Sequence, residues 1–128
     1  MIWCYEAKND ERQLLTNLNI RTPVLITDLN ERIVGCNLNW EAMCKYTAAE
    51  AFGRTPRILQ GELTNSETAR DFSMQLRGGG HAIASLINYK KDGSVFVNYV
   101  YGWLLGDLLI AQTVAEYALE QYRLPPGQ

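Results

Sequence analysis

The chain is poor in the residues that build metal and nucleophile sites: it holds one histidine and three cysteines in 128 residues. Cys4, Cys36 and Cys44 are an odd set without CxxC spacing, which excludes a disulfide framework and a zinc ribbon. No HExxH, phosphate loop, Ser-His-Asp set or Cys-His set is present, so no catalytic residue is assigned and an enzyme is not expected. No apolar run approaches the roughly 20 residues of a membrane-spanning helix. Positive charge is not in excess either, since 12 Lys and Arg against 14 Asp and Glu give a net charge of -2. That is not the footprint of a nucleic-acid binder, and neither nucleic acid nor membrane is expected as a partner. The N-terminus MIWCYEAKNDE carries acids where a secretory signal has its apolar core, so the expected location is cytoplasmic.

What remains is enough for one soluble domain, because 47% hydrophobic and 20% charged residues over this length can bury a single core. The expected division is an N-terminal flanking helix over residues 1–21, a core over 22–116 and a C-terminal segment over 117–128. Cys36 and Cys44 sit in apolar surroundings and are expected to pack as small core residues. His81 follows Gly78-Gly79-Gly80 and opens a strand, a surface or strand-edge position to which no role is assigned.

Local chemistry gives the order of elements. NDERQLLTNL puts acids ahead of Leu14, Leu15 and Leu18, the pattern of a helix with one apolar stripe. PVLIT and RIVGC flank the turn residues Asp28-Leu29-Asn30-Glu31 and predict a hairpin. Asn37 or Asn39 can cap a helix that aligns Trp40, Met43 and Cys44, a stripe read as core packing. Thr47-Ala48-Ala49-Glu50 fits a capping box, Pro56 suits the first turn of a one-turn helix, and Asn65 or Ser66 opens a helix to about Arg77. From Ala82 the period changes to strands, joined by Asp92-Gly93 and then by Gly106-Asp107 as a type II′ turn. Strands grouped apart from helices predict an α+β fold with an antiparallel sheet. AEYALEQYRL, with Tyr117, Leu119 and Tyr122, has some helical character.

Four segments carry a family resemblance, IVGCNLNWEAMCKYTAAEAFGR through its order of strand, asparagine, helix and acid-rich turn and three others through closer motifs. Gly53-Arg54-Thr55-Pro56-Arg57-Ile58-Leu59-Gln60-Gly61 resembles the GRNCRFLQG signature of the light-oxygen-voltage (LOV) branch of PAS domains. INYKKDGSVFVN resembles that family's NYRKDGTPFWN, and IAQTV its final strand. The likeness runs from about Pro23 to Val114 and implies a PAS fold: a five-stranded antiparallel sheet with short helices on one face. Pro56 stands where the family has the cysteine that attacks photoexcited flavin, and proline has no thiol, so no cysteinyl adduct is expected. Lys45 replaces a usual glycine and Thr55 a usual asparagine. The resemblance places the family's flavin contacts on Gln60, Asn88, Asn98 and Gln112, and its phosphate-gripping arginine on Arg57. A second such arginine would fall on Ser73, with Arg70 and Arg77 one turn to either side.

Strand alternation bears on the same residues. It puts Ala84, Leu86 and Asn88 on one face, with Phe96, Asn98 and Val100, and with Ile110, Gln112 and Val114. Three amides among apolar neighbours need partners, because an unpaired buried amide costs about 1–3 kcal/mol. Two readings stay open: a polar ligand, for which FMN is the cofactor candidate, or amides bonded to each other and to trapped water. The opposite face carries Val97, Tyr99, Tyr101 and Trp103 beside Ala111 and Thr113, an aromatic stripe expected to be covered by a flanking segment or by a partner. The expected function is a PAS sensory or regulatory module acting through homodimerisation or effector docking on that face. The alternative is a flavin-binding photo- or redox sensor that works without the cysteine.

Overall fold

Five antiparallel strands in the spatial order β2 (Ile33–Cys36), β1 (Val24–Asp28), β5 (Leu108–Ala118), β4 (Val95–Leu105) and β3 (His81–Tyr89) frame the computed structural model, which describes residues 21–120. Strands β1 (Val24–Asp28) and β2 (Ile33–Cys36) form the expected hairpin. Its turn is held by Asp28, whose Oδ1 accepts from the backbone N–H groups of Asn30 and Arg32, both at 2.9 Å. The helix predicted over residues 9–18 and Cys4 lie outside the described residues.

Asn37, not Asn39, turns the chain from sheet to helix. Its Oδ1 accepts from Trp40 N at the start of α1 (Leu38–Cys44) and from Val24 N on β1, both at 3.0 Å, while its Nδ2 donates to the Thr22 carbonyl at 2.8 Å. Helix α1 ends on Lys45 at φ 70, a left-handed conformation that costs a non-glycine residue roughly 1–2 kcal/mol. An exposed ion pair to Asp92 at 2.8 Å offsets part of that, by about 0–1 kcal/mol. The Thr47–Glu50 capping box opens α2 (Ala48–Ala51), Pro56 begins a 3-10 turn (Pro56–Leu59), and Asn65 caps α3 (Ser66–Arg77) by accepting from Glu67 N and Thr68 N.

Strands β3 (His81–Tyr89), β4 (Val95–Leu105) and β5 (Leu108–Ala118) complete the sheet. Gly106 has φ 59, as the first central residue of a type II′ turn requires. Two expectations are corrected here. Residues 115–118 are strand rather than helix, with Tyr117 paired to Val97 and Ala118 to Phe96, because β4 is long enough to template them. The last strand therefore runs to Ala118. The face of β5 is also opposite to the one expected: Thr113 stands across from Val100, Ala111 from Gly102 and Leu109 from Leu104, so these three share the concave face.

The concave face and the helices enclose the main core, in which Leu25, Ile33, Trp40, Met43, Leu59 and Phe96 pack with the buried thiols Cys36 and Cys44. Helix α3 closes the other side of the concavity. It crosses β4 at Gly102, where an added Cβ would lie 2.7 Å from Phe72 Cζ and 2.8 Å from Leu76 Cδ1. A larger residue there would force the ends of the Phe72 and Leu76 side chains to move aside. On the convex face Val24, Ile26, Leu108 and Ile110 are buried with Trp103 and Leu105, whereas Ile83, Tyr99 and Tyr117 remain exposed.

Candidate functional site

A cavity of about 510 Å³ lies between the concave face, the 3-10 turn and α3, inside the usual range of roughly 300–1,000 Å³ for small-molecule sites. Strand β1 contributes Leu25 and Thr27, β3 Leu86 and Asn88, β4 Asn98 and Val100, and β5 Ala111 and Thr113. Trp40 of α1 and Pro56 with Gln60 of the 3-10 segment line the remaining walls. Arg57, Arg70 and Arg77 all border it with Glu31 and Ser73.

Its polar floor is a chain of three side chains. Thr113 Oγ1 donates to Asn98 Oδ1 at 2.8 Å, Asn98 Nδ2 donates to Asn88 Oδ1 at 2.9 Å, and Asn88 Nδ2 donates to the Ile87 carbonyl at 3.2 Å. All three residues are buried, so each bond offsets the desolvation of two groups. At the mouth, Glu31 spans from the β1–β2 turn to α3: its carboxylate accepts from Ser73 Oγ and pairs with the Arg77 guanidinium at 3.0 Å. Arg77 is thereby engaged, while Arg57 and Arg70 have no acidic partner among the described residues.

Of the residues singled out in the sequence, Arg57, Gln60, Asn88 and Asn98 are brought together around the cavity. Gln112 is not. It lies on the other face of β5, and its Nε2 donates to Thr22 Oγ1 at 2.8 Å. Thr113 takes the place in the polar chain that Gln112 was expected to fill, and Ala111 likewise moves from the outer to the inner face. Thr27 was not singled out, and Trp40 was read only as core. Its helical stripe was legible, but a stripe cannot say that one member borders a void. Outside the cavity, His81 is an exposed strand residue whose Nδ1 meets Tyr101 Oη at 2.5 Å, with the two rings stacked.

Burial pushes the Cys44 thiol up to about 11, with the backbone N–H of Tyr46 acting in the opposite direction. Cys44 does not line the cavity, and neither does Cys36. No group of three or more His, Cys, Asp or Glu residues that could hold a metal ion occurs among the described residues, and no helix there is long and apolar enough to cross a membrane.

The model of the family described as PAS fold matches residues 10–99. The bacterioopsin transcriptional activator of Halobacterium salinarum is 34% identical over 74 residues, 58% of this chain and 11% of the activator. A blue-light photoreceptor of Listeria innocua is 33% identical over 89 residues, 66% of this chain and 35% of the photoreceptor. The chain thus spans well under two thirds of the length of these relatives. Among solved structures, the LOV domain from the Erythrobacter litoralis EL346 blue-light activated histidine kinase superposes with a TM-score of 0.68 at 21% identity, over 79% of this chain and 98% of that domain. The Rhodobacter sphaeroides LOV protein gives 0.74 at 18% identity, over 94% of this chain and 73% of that one. At these identities the superpositions show a shared fold.

Proposed function

The chain belongs to the PAS fold family, as a sensory domain with LOV relatives, and from that premise we propose that it is a regulatory module that signals by association through its outer sheet face, without a cysteinyl adduct. The exposed side of that face carries the proposal. Ile83 is 77% exposed and Tyr117 60%, and Tyr99 packs edge-on against Tyr117 with ring centroids 5.7 Å apart. Tyr101 and Trp103 continue the same stripe. An uncharged aromatic surface of this kind suits a second copy or an effector domain. Pro56 on the cavity wall supports the absence of thiol chemistry, because neither buried cysteine lines that wall.

Light scattering on the full chain and on Ile83→Asp and Tyr99→Asp variants tests the surface. Dimers in the parent and monomers in both variants, with melting temperatures kept, are the expected result. A monomeric parent, or unchanged dimers in both variants, removes homodimerisation through this face.

The cavity supports a second reading, a bound flavin. Its volume, the Asn88–Asn98 amides and the Gln60 side chain, which has no partner among the described residues, fit the mixed donor and acceptor edge of such a ring, with Arg57 at the cavity border for a phosphate tail. Bound there, a flavin would supply light absorption and redox chemistry, and this chain's residues would orient it. Uptake of FMN measured by visible spectroscopy tests this. A colourless protein that leaves added FMN free in solution sinks it.

A further inference from the structure

Burial changes abruptly across the outer face of the sheet. One row of paired residues runs Ile26, Ile110, Trp103, His81 from β1 to β3, and the next runs Val24, Gln112, Tyr101, Ile83. At the β1 end Val24, Ile26 and Ile110 are 0% exposed, in the middle Gln112, Tyr101 and Trp103 are half-buried, and at the β3 end Ile83 is 77% exposed. Neighbouring strands cannot produce that gradient, because side chains on one face of a sheet stand side by side and show their tips to solvent unless a second layer lies over them. Among the described residues no helix supplies the layer. Every buried apolar side chain of the helices and the 3-10 turn packs into the clusters of the concave side, while the cluster around Ile26 and Ile110 is made of strand residues alone.

The cover therefore comes from one end of the chain, residues 1–20 or 121–128, and two observations separate them. Gln112, on the outer face of β5, donates to Thr22 Oγ1 at 2.8 Å, so the chain that leads into β1 passes on the outer side, next to the buried rows. The other end leaves from the wrong place. Leu119 N still bonds the Val95 carbonyl, which puts the exit about 36 Å along β5 from Leu108, whereas residues 121–128 span at most about 29 Å fully extended. Residues 19–23, at up to about 3.5 Å each, give Leu18 ample reach to fold back over Ile26. Leu14 and Leu15 stand four and three residues before Leu18, the spacing of a single apolar stripe. We infer that residues 1–20 dock on the outer face over β1 and β5, seating Leu14, Leu15 and Leu18 on Val24, Ile26, Leu108 and Ile110. The chain thus caps half of its own outer face and leaves the β3–β4 half, with Ile83 and Tyr99, open to a partner. The cap does not depend on that partner being a second copy.

Methyl NMR on the full chain tests the cap. Cross-relaxation peaks from the Leu14, Leu15 and Leu18 methyls to those of Ile26 and Ile110 are expected, and filtered spectra of mixed labelled and unlabelled protein should place them within one molecule. Leu18→Asp should lower the melting temperature and shift the Ile26 and Ile110 methyl signals. Peaks to Ile26 and Ile110 from residues 121–128 instead, peaks found only between two copies, or no peak from any of the three leucines overturns the cap. Should Leu18→Asp not fold, the methyl contacts of the parent decide alone. A monomeric parent in light scattering removes homodimerisation and leaves the cap standing, and missing leucine contacts in a dimeric parent do the reverse.

Discussion

Asn98 donates its Nδ2 hydrogen to Asn88 Oδ1 at 2.9 Å across the β3–β4 ladder, and its own Oδ1 accepts from Thr113 at 2.8 Å. One amide therefore satisfies two buried neighbours. Asn98→Ala strands both, and should destabilise the ligand-free protein by about 1–3 kcal/mol. For a domain of this size that is a drop of several degrees in melting temperature, on the order of 4–8 °C per kcal/mol. The double variant Asn88→Leu, Asn98→Leu should cost less than the sum of the two Leu single variants, and denaturant titration of the parent, both singles and the double checks this.

Gly102 is where α3 rests on β4, and a methyl group there meets the Phe72 ring and the Leu76 side chain inside contact distance. Gly102→Ala should cost about 1–3 kcal/mol through overpacking. The shorter side chain in Leu76→Ala, Gly102→Ala should relieve the Leu76 part of the clash, leave the Phe72 contact, and add a cavity penalty of its own. A crystal structure or denaturation curve of Gly102→Ala matching the parent would contradict the packing described.

The Lys91 ammonium and the Thr47 N–H hold the Glu50 carboxylate at about 2, below its ordinary 4.5. Asp92 is lowered in the same direction, by Lys45 first and then by Ser94. Folded values below unfolded ones mean stabilisation that is complete above the ordinary carboxylate range and lost as the pH falls through it toward 2. The melting temperature should hold between pH 7 and 5 and fall below that. Lys91→Gln should flatten the fall, and so should 1 M salt, because both pairs are solvent-exposed.

Cys44 combines full burial with a thiol raised to about 11, so it holds almost no thiolate near neutrality. Iodoacetamide at pH 8 should leave Cys44 unmodified in the native protein and modify it in denaturant. Peptide mass mapping reads the difference, and labelling of Cys44 in the folded state would mean that its surroundings open readily.

The legible parts of the fold were those fixed by neighbours in sequence. Thr47 and Glu50, Asn65, Pro56 and Gly106 each carry out a local task, and each is found performing it. The face of β5 was not legible, because in Leu108–Val114 both faces are apolar and alternation has no parity to reveal. Ile110 is fully buried on the convex side, and Gln112 looked like the one marker of the inner face. A register shift between Tyr99 and Val100 then resets the pairing farther along β5. The amide pair was legible from its alternating positions, whereas Thr113 and Thr27 are ordinary strand threonines until the neighbouring strands are in place.

Thr22 is gripped at two points: Asn37 takes its carbonyl, and Gln112 reaches its hydroxyl. Its backbone neighbour Pro23 accepts the Thr113 N–H at 2.9 Å. Adjacent residues of one strand thus touch the cavity floor on one side and the lead-in to β1 on the other. A hydrogen bond made to Thr113 from inside the cavity would therefore lie one peptide unit from the contact that Gln112 makes with Thr22.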